Sequence, residues 1–185
     1  VQDGRILAKG STSFGSIWNR RKAELAEGAA ATDTTLPKFN PDRNVPYLFI
    51  LAYEEGKVNE NLLLYEMARY NFSNFIVRNF DLAFVKDNGI GMLQVKEFTN
   101  FDEAYQYINL LYKDKEMANK LGGMRAMIIS VQNYELLSKY YSFDDYQSFY
   151  QKHFSKIPEL QIKGYTLDEP VFEEKDVQDE NEEQK

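Results

Sequence analysis

The chain has 185 residues, 43% of them hydrophobic and 15% aromatic, with a formal net charge of −7 and no cysteine. That suits one globular domain with length to spare for tails, and it excludes disulfide frameworks, thiolate metal sites and cysteine nucleophiles. The charge is local: residues 168–185 carry nine acids against Lys175 and Lys185, so residues 1–167 balance 20 acids with 20 bases. A neutral body without a basic block offers no electrostatic footprint for nucleic acid or an anionic membrane surface. No apolar run reaches the ~18–20 residues that span a bilayer.

The start, Val1-Gln2-Asp3-Gly4, has neither an initiator methionine nor a leader pattern, as expected of a piece of a longer chain. Residues 1–44 are expected to be a linker carrying one short helix over Phe14–Glu27, capped by Ser13 or Ser16 and ended by Gly28. With only Phe14, Ile17, Trp18 and Leu25 as large apolar groups, that helix is expected to be solvated or loosely docked, or else to close a preceding domain. Val45–Tyr53 is the first run able to bury both faces, and reads as a strand. Its parity puts Leu48, Ile50 and Ala52 on one face and Tyr47, Phe49, Leu51 and Tyr53 on the other, the first set being expected to anchor the helices. Asn59 or Asn61 caps a helix running to about Tyr70, with an apolar stripe of Leu63, Leu64, Met67, Ala68 and Phe72.

Phe75–Lys86 contains a second strand with a break near Asn79, and Asp87-Asn88-Gly89 is a hairpin turn, because Asn-Gly tolerates the positive φ angles tight turns need. Ile90–Phe98 returns as the third strand. Asn100 with Glu103 forms a capping box for a helix bearing Ala104, Ile108 and Leu111. A partly helical connection over Asp114–Gly123 precedes a fourth strand at Ala126–Val131, a short helix at Asn133–Tyr141, and a last helix over Phe143–Phe154 capped by Ser142 and Asp145. This order predicts an α+β fold of the ferredoxin-like, split βαβ kind: a four-stranded antiparallel sheet with two helices on one face and additional C-terminal helices. The domain is expected to span 45–157, followed by an acidic tail over 158–185 too polar to order itself.

No set of residues reads as catalytic. His153 is the only histidine, which rules out a histidine pair or Ser-His-Asp set within the chain, and its place at a helix C-terminus suits a charge on the dipole. Glu54/Glu55 and Asp144/Asp145 fit a turn and a helix's first turn. Asn88-Gly89-Ile90-Gly91 has the glycines of a phosphate loop, but a strand follows where a helix N-terminus is needed. Laid on the third strand of an RNA-recognition fold, the same stretch puts Asn88, Ile90, Met92 and Val95 where a base and stacking aromatics belong. No enzyme activity, cofactor, metal or nucleic acid is therefore expected. Thirteen Tyr and thirteen Phe mostly fill the core, and the remainder predict a recognition face of Tyr47 and Phe49 beside Gln94 and Lys96, unless the C-terminal helices cover it.

Asn44–Tyr53, Tyr65–Phe72, Phe80-Asp81-Leu82, Gly89–Leu93, Ile128-Ile129-Ser130 and Tyr141–Tyr146 together resemble a C-terminal domain of Bacteroidetes tetratricopeptide-repeat envelope proteins. That group includes lipoproteins similar to the PorW/SprE component of type IX secretion and gliding. The resemblance covers about residues 44–154, and implies a non-enzymatic assembly module. Its parent would be periplasmic, held at the outer membrane only through a lipid anchor of its own, with cell-envelope proteins as partners. The chain itself contains no helical repeat and no lipobox cysteine, and the family supplies no catalytic residues to carry over. Leu93–Phe98 with Asn100 and Glu103-Ala104 also resembles the third strand and second helix of the peptidoglycan-binding SPOR domain, which implies a glycan-binding alternative.

Overall fold

A computed structural model describes residues 17–21 and 36–154. The first strand, β1, spans Tyr47–Glu54, followed by helix α1 over Glu60–Asn74, strands β2 (Leu82–Asp87) and β3 (Ile90–Phe98), and helices α2 (Phe101–Lys113) and α3 (Lys115–Lys120). Strand β4 (Arg125–Ser130) and helices α4 (Val131–Lys139) and α5 (Phe143–His153) complete the order. The strands form one antiparallel sheet in the order β2-β3-β1-β4, the ferredoxin-like arrangement expected.

Local signals account for most boundaries. Asn59, Asn100, Asp114, Ser130 and Ser142 each cap a helix by accepting a backbone N–H two or three residues into it. Ser142 and Asp145 form a reciprocal capping box. At α2 the box is displaced by one residue: Asn100 accepts from Glu103 N at 3.0 Å, but the Glu103 carboxylate accepts from Thr99 N at 2.6 Å rather than from Asn100. Asn88 and Gly89 have φ of 49° and 85°, the two positive values of a tight hairpin turn. The expected strand from Phe75 is shorter than anticipated. Residues 75–81 are irregular, and Phe75 and Phe80 turn their rings into the core against Tyr107 at 5.4 and 5.1 Å.

The sheet is buried on both faces. On one lies a core of Tyr47, Phe49, Leu51, Tyr53, Leu93 and Val95 with Leu63, Met67 and Tyr70 of α1, Phe101, Tyr107 and Leu111 of α2, and Met117 of α3. On the other, Leu48, Ile50, Ala52, Ile90, Met92 and Ile129 meet Leu137 of α4, Phe143 and Tyr146 of α5, and Trp18. This reverses the expected duty of the two parities in β1: the aromatic set, not Leu48, Ile50 and Ala52, anchors α1 and α2. Rings explain the assignment, since Tyr47, Phe49 and Tyr53 fill the deep space between sheet and helices, while Ala52 and Ile50 admit a closer second layer.

The segment expected as linker contributes to that second layer. Trp18 is buried with its ring edge-on to Phe143 at 5.3 Å and the Arg125 guanidinium 4.7 Å above it, and Arg21 grips Asp145 through two hydrogen bonds of 2.9 and 3.0 Å. Asn40 and Asn133 exchange two hydrogen bonds at 2.9 and 2.7 Å, Tyr141 donates to Pro37 O at 2.6 Å, and the Phe39 ring lies 4.5 Å from Tyr141. Residues 17–21 and 36–44 thus belong to the domain. The rest of the expected helix over 14–27 and the expected tail over 158–185 lie outside the described residues.

Candidate interaction surface

The expected recognition face does not assemble. Tyr47 is buried beneath Phe101 and Phe154, with ring centroids 5.5 and 6.4 Å away, and its hydroxyl donates to Asp42 O at 2.6 Å. Burial, with the Asp42 charge adding to it, pushes that hydroxyl's pKa up to about 12. Phe49 is fully buried against Tyr107 at 5.7 Å. Gln94 lies on the opposite face, paired with Ile50, and is buried. Beside it burial raises the Tyr134 pKa, partly offset by the neighbouring Gln94 amide. Lys96 follows Gln94 by alternation and is half-buried, its N–H donating to Asp81 O at 2.9 Å. Two of the four residues therefore sit in one core and two on the other side of the sheet. The face bearing Tyr47 and Phe49 is covered by α1 and α2, and the opposite face by α4 and α5.

The residues weighed for chemistry also have structural partners. Asp144 accepts from Arg125 at 2.9 Å, and Asp145 is shared between Arg21 and the α5 cap. Burial opposes ionisation of Asp145, but the hydrogen bonds from Arg21 and Ser142 outweigh it and hold its pKa below the ordinary value. Glu55 faces Lys86 at 3.4 Å. His153 stacks on Phe149 at 4.6 Å. Gly91 lies opposite Tyr53, whose ring occupies the space a Cβ would need, so the second glycine of the loop-like motif serves packing.

Open clefts lie among the described residues, two of them with ionisable groups in their lining. One is lined by Val77, Arg78, Asn79, Phe80, Asp81, Glu97 and Thr99, and its one cation is already engaged. Arg78 donates to both Glu103 carboxylate oxygens, at 2.9 and 3.3 Å, and to the Glu97 carbonyl, where β3 bulges at a φ of 81°. These bonds, with the Thr99 N–H, hold the Glu103 pKa below its ordinary value. The other cleft lies along α5 between Ser148 and His153. Among the described residues no group of three or more His, Cys, Asp and Glu side chains could hold a metal ion, and no helix is long and apolar enough to cross a membrane.

What the fold does present is the outer side of α1. Leu62, Tyr65 and Phe72 are 55, 61 and 85% exposed, and Ile76 and Val77, in the turn after the helix, are 90 and 96% exposed. Leu62, Tyr65, Arg69 and Phe72 recur at steps of three, four and three, which puts them in one row along the helix, with Ile76 following in the turn beyond its end. The inward side is carried by Leu63, Met67, Tyr70 and Asn71. The predicted stripe is corrected accordingly: Leu63 and Met67 face the core, whereas Leu64, Ala68 and Phe72 are exposed. One edge of the exposed row has an ionic border, in which Glu66 accepts from Arg69 and Lys120 at 2.9 Å each and Lys120 bonds Glu116 at 2.8 Å. The readable signal for this surface was an excess: α1 has apolar residues around most of its circumference, and one sheet can bury only a third of a helix.

The architecture defines a ferredoxin-like α+β domain closed by a second helical layer. No family model, no curated protein and no solved structure matches the chain.

Proposed function

We propose that this domain is a non-enzymatic protein-interaction module, acting through the outer side of α1 in assembly of a cell-envelope complex. The observation that carries the proposal is Leu62, Tyr65 and Phe72 in solvent on a helix whose other side is already packed, with Ile76 and Val77 exposed in the turn beyond it. Such a patch, with an ionic border, has the anatomy of an interface core and rim. The envelope setting rests on the resemblance to Bacteroidetes repeat proteins. With it come the periplasmic location, an anchor belonging to a longer parent, and service in type IX secretion or gliding.

A photo-crosslinking residue at Phe72 tests the surface in intact cells. One discrete adduct, lost when Tyr65→Glu is added, is the expected result, and a diffuse set of adducts indifferent to Tyr65→Glu would sink the reading. Fractionation of the parent to the cytosol would remove the envelope setting. The glycan-binding alternative calls for sheet residues in solvent, and both sheet faces are covered. Retention of the chain on purified peptidoglycan would revive it.

A further inference from the structure

We infer that the partner of the exposed α1 row is a second copy of this chain, with the two α1 helices packed antiparallel about a twofold axis. The inference rests on the interaction reading above and names its partner. Three features favour a self-complementary contact.

The first is chemical. The row reads Leu62, Tyr65, Arg69, Phe72, Ile76, one cation amid apolar and aromatic groups. With the axis crossing α1 between Arg69 and Phe72, the guanidinium of each copy lies over the Phe72 ring of the other, and Tyr65 lies toward the turn that follows α1 of the other copy. Each Arg69 thereby gains one cation–π partner, and the twofold axis repeats the contact so that the dimer has two. A parallel arrangement would instead set the two Arg69 side chains against each other.

The second is electrostatic. Arg69 keeps Glu66 of its own copy at 2.9 Å, and Glu66 is held in turn by Lys120, so two Arg69 groups near the axis arrive already neutralised. The bordering Glu66–Lys120–Glu116 cluster stays at the rim, where charges cost little to keep hydrated.

The third is size. The exposed fractions of Leu62, Tyr65, Phe72, Ile76 and Val77 amount to about 700 Å² of mainly apolar surface, using roughly 150–250 Å² for a full aromatic side chain. That exceeds the ~300–600 Å² of the largest patch on an ordinary monomer. Fully covered, two such surfaces would bury at most about 1,400 Å², which reaches the range of stable specific interfaces.

Sedimentation equilibrium of the full chain over low to high micromolar concentration is the direct test. The mass should rise from 21.6 kDa toward twice that value. Phe72→Glu and Tyr65→Glu should hold it at 21.6 kDa throughout, and should melt as the wild-type chain does at dilutions where that chain is monomeric, because both side chains stand in solvent in the single copy. A wild-type chain that stays monomeric, or a dimer that survives Phe72→Glu, overturns the inference. Register is testable because the chain has no cysteine of its own. Mixed under oxidation, R69C and F72C should yield chiefly the mixed disulfide, and homodisulfides alone would reject the antiparallel register. A monomeric chain that still gives a discrete heterologous adduct from Phe72 in cells rejects self-pairing and leaves the interaction reading standing. A monomeric chain with no discrete adduct rejects both.

Discussion

Gly91 shows how much one missing side chain can organise. It pairs with Tyr53 across the β1–β3 ladder, and the Tyr53 ring lies over it while the hydroxyl donates to Glu60 at 3.0 Å. A methyl group at this position displaces the ring from the core and from its carboxylate partner. Gly91→Ala should cost about 1–3 kcal/mol in urea denaturation, the usual cost of overpacking, and the loss should shrink in a Tyr53→Ala background because the clash is then gone. Asp145 works through charge. Its folded pKa lies below the unfolded value of about 3.9, so its contribution is fully present above that pH and is lost as the pH falls through the folded pKa. Thermal melts from pH 7 down to pH 2 should therefore show less acid destabilisation for Asp145→Asn than for the wild type, starting from a melting point already lowered at pH 7. Tyr146 donates to the Ile128 carbonyl of edge strand β4 at 2.6 Å, a buried bond. Tyr146→Phe should lose about 1–2 kcal/mol, leaving that acceptor unmatched.

At the scale of elements, the residues around Trp18 close the second layer. They stand on Phe143, Arg125 and Asp145, so their docking is coupled to the start of α5. Trp18→Ala should lower stability by about 3–5 kcal/mol, the usual cost of emptying a buried aromatic site. Binding of a hydrophobic dye should increase together with that loss. An unchanged melting point would mean that Leu48, Ile50 and Phe143 stay covered without it. The helices themselves follow local rules: α2 and α5 begin at Asn100 and Ser142 because each supplies an oxygen to an otherwise unmatched N–H. Helix α1 starts equally predictably at Asn59, yet its rotation about its own axis was misjudged. With Leu62, Leu63, Leu64 and Tyr65 in succession, every rotation buries some apolar residue, so periodicity alone does not select one.

Across the whole molecule, stability should peak in the middle of the sheet. β1 has a strand on each side and a core on each face, whereas β2 is an edge strand of half-buried residues. Native-state hydrogen exchange should therefore find the slowest amides in β1 and β3 and faster ones in β2. Uniform protection across the four strands would contradict this ordering. The fold was legible because its signals are local and mutually consistent: alternation in Leu93–Lys96, the Asn88-Gly89 turn, and polar caps ahead of each helix. The candidate surface was not. Tyr47 and Phe49 read as a recognition face because they are aromatic residues beside polar neighbours, but burial depends on which helix lies above them, a non-local fact.

By itself, then, the sequence determined the identity and order of the elements and the two faces of each strand, because caps, turns and side-chain alternation act within a few residues. Tertiary structure alone decided which face of β1 receives α1 and α2, that Trp18 and Phe39 join the second layer, and that Leu62, Tyr65 and Phe72 remain outside. The reason is geometric. Alternation divides a strand into two equivalent sides and an apolar-rich helix offers several inward rotations. Only the joint packing of rings, Gly91 and Ala52 into the space between layers removes that degeneracy.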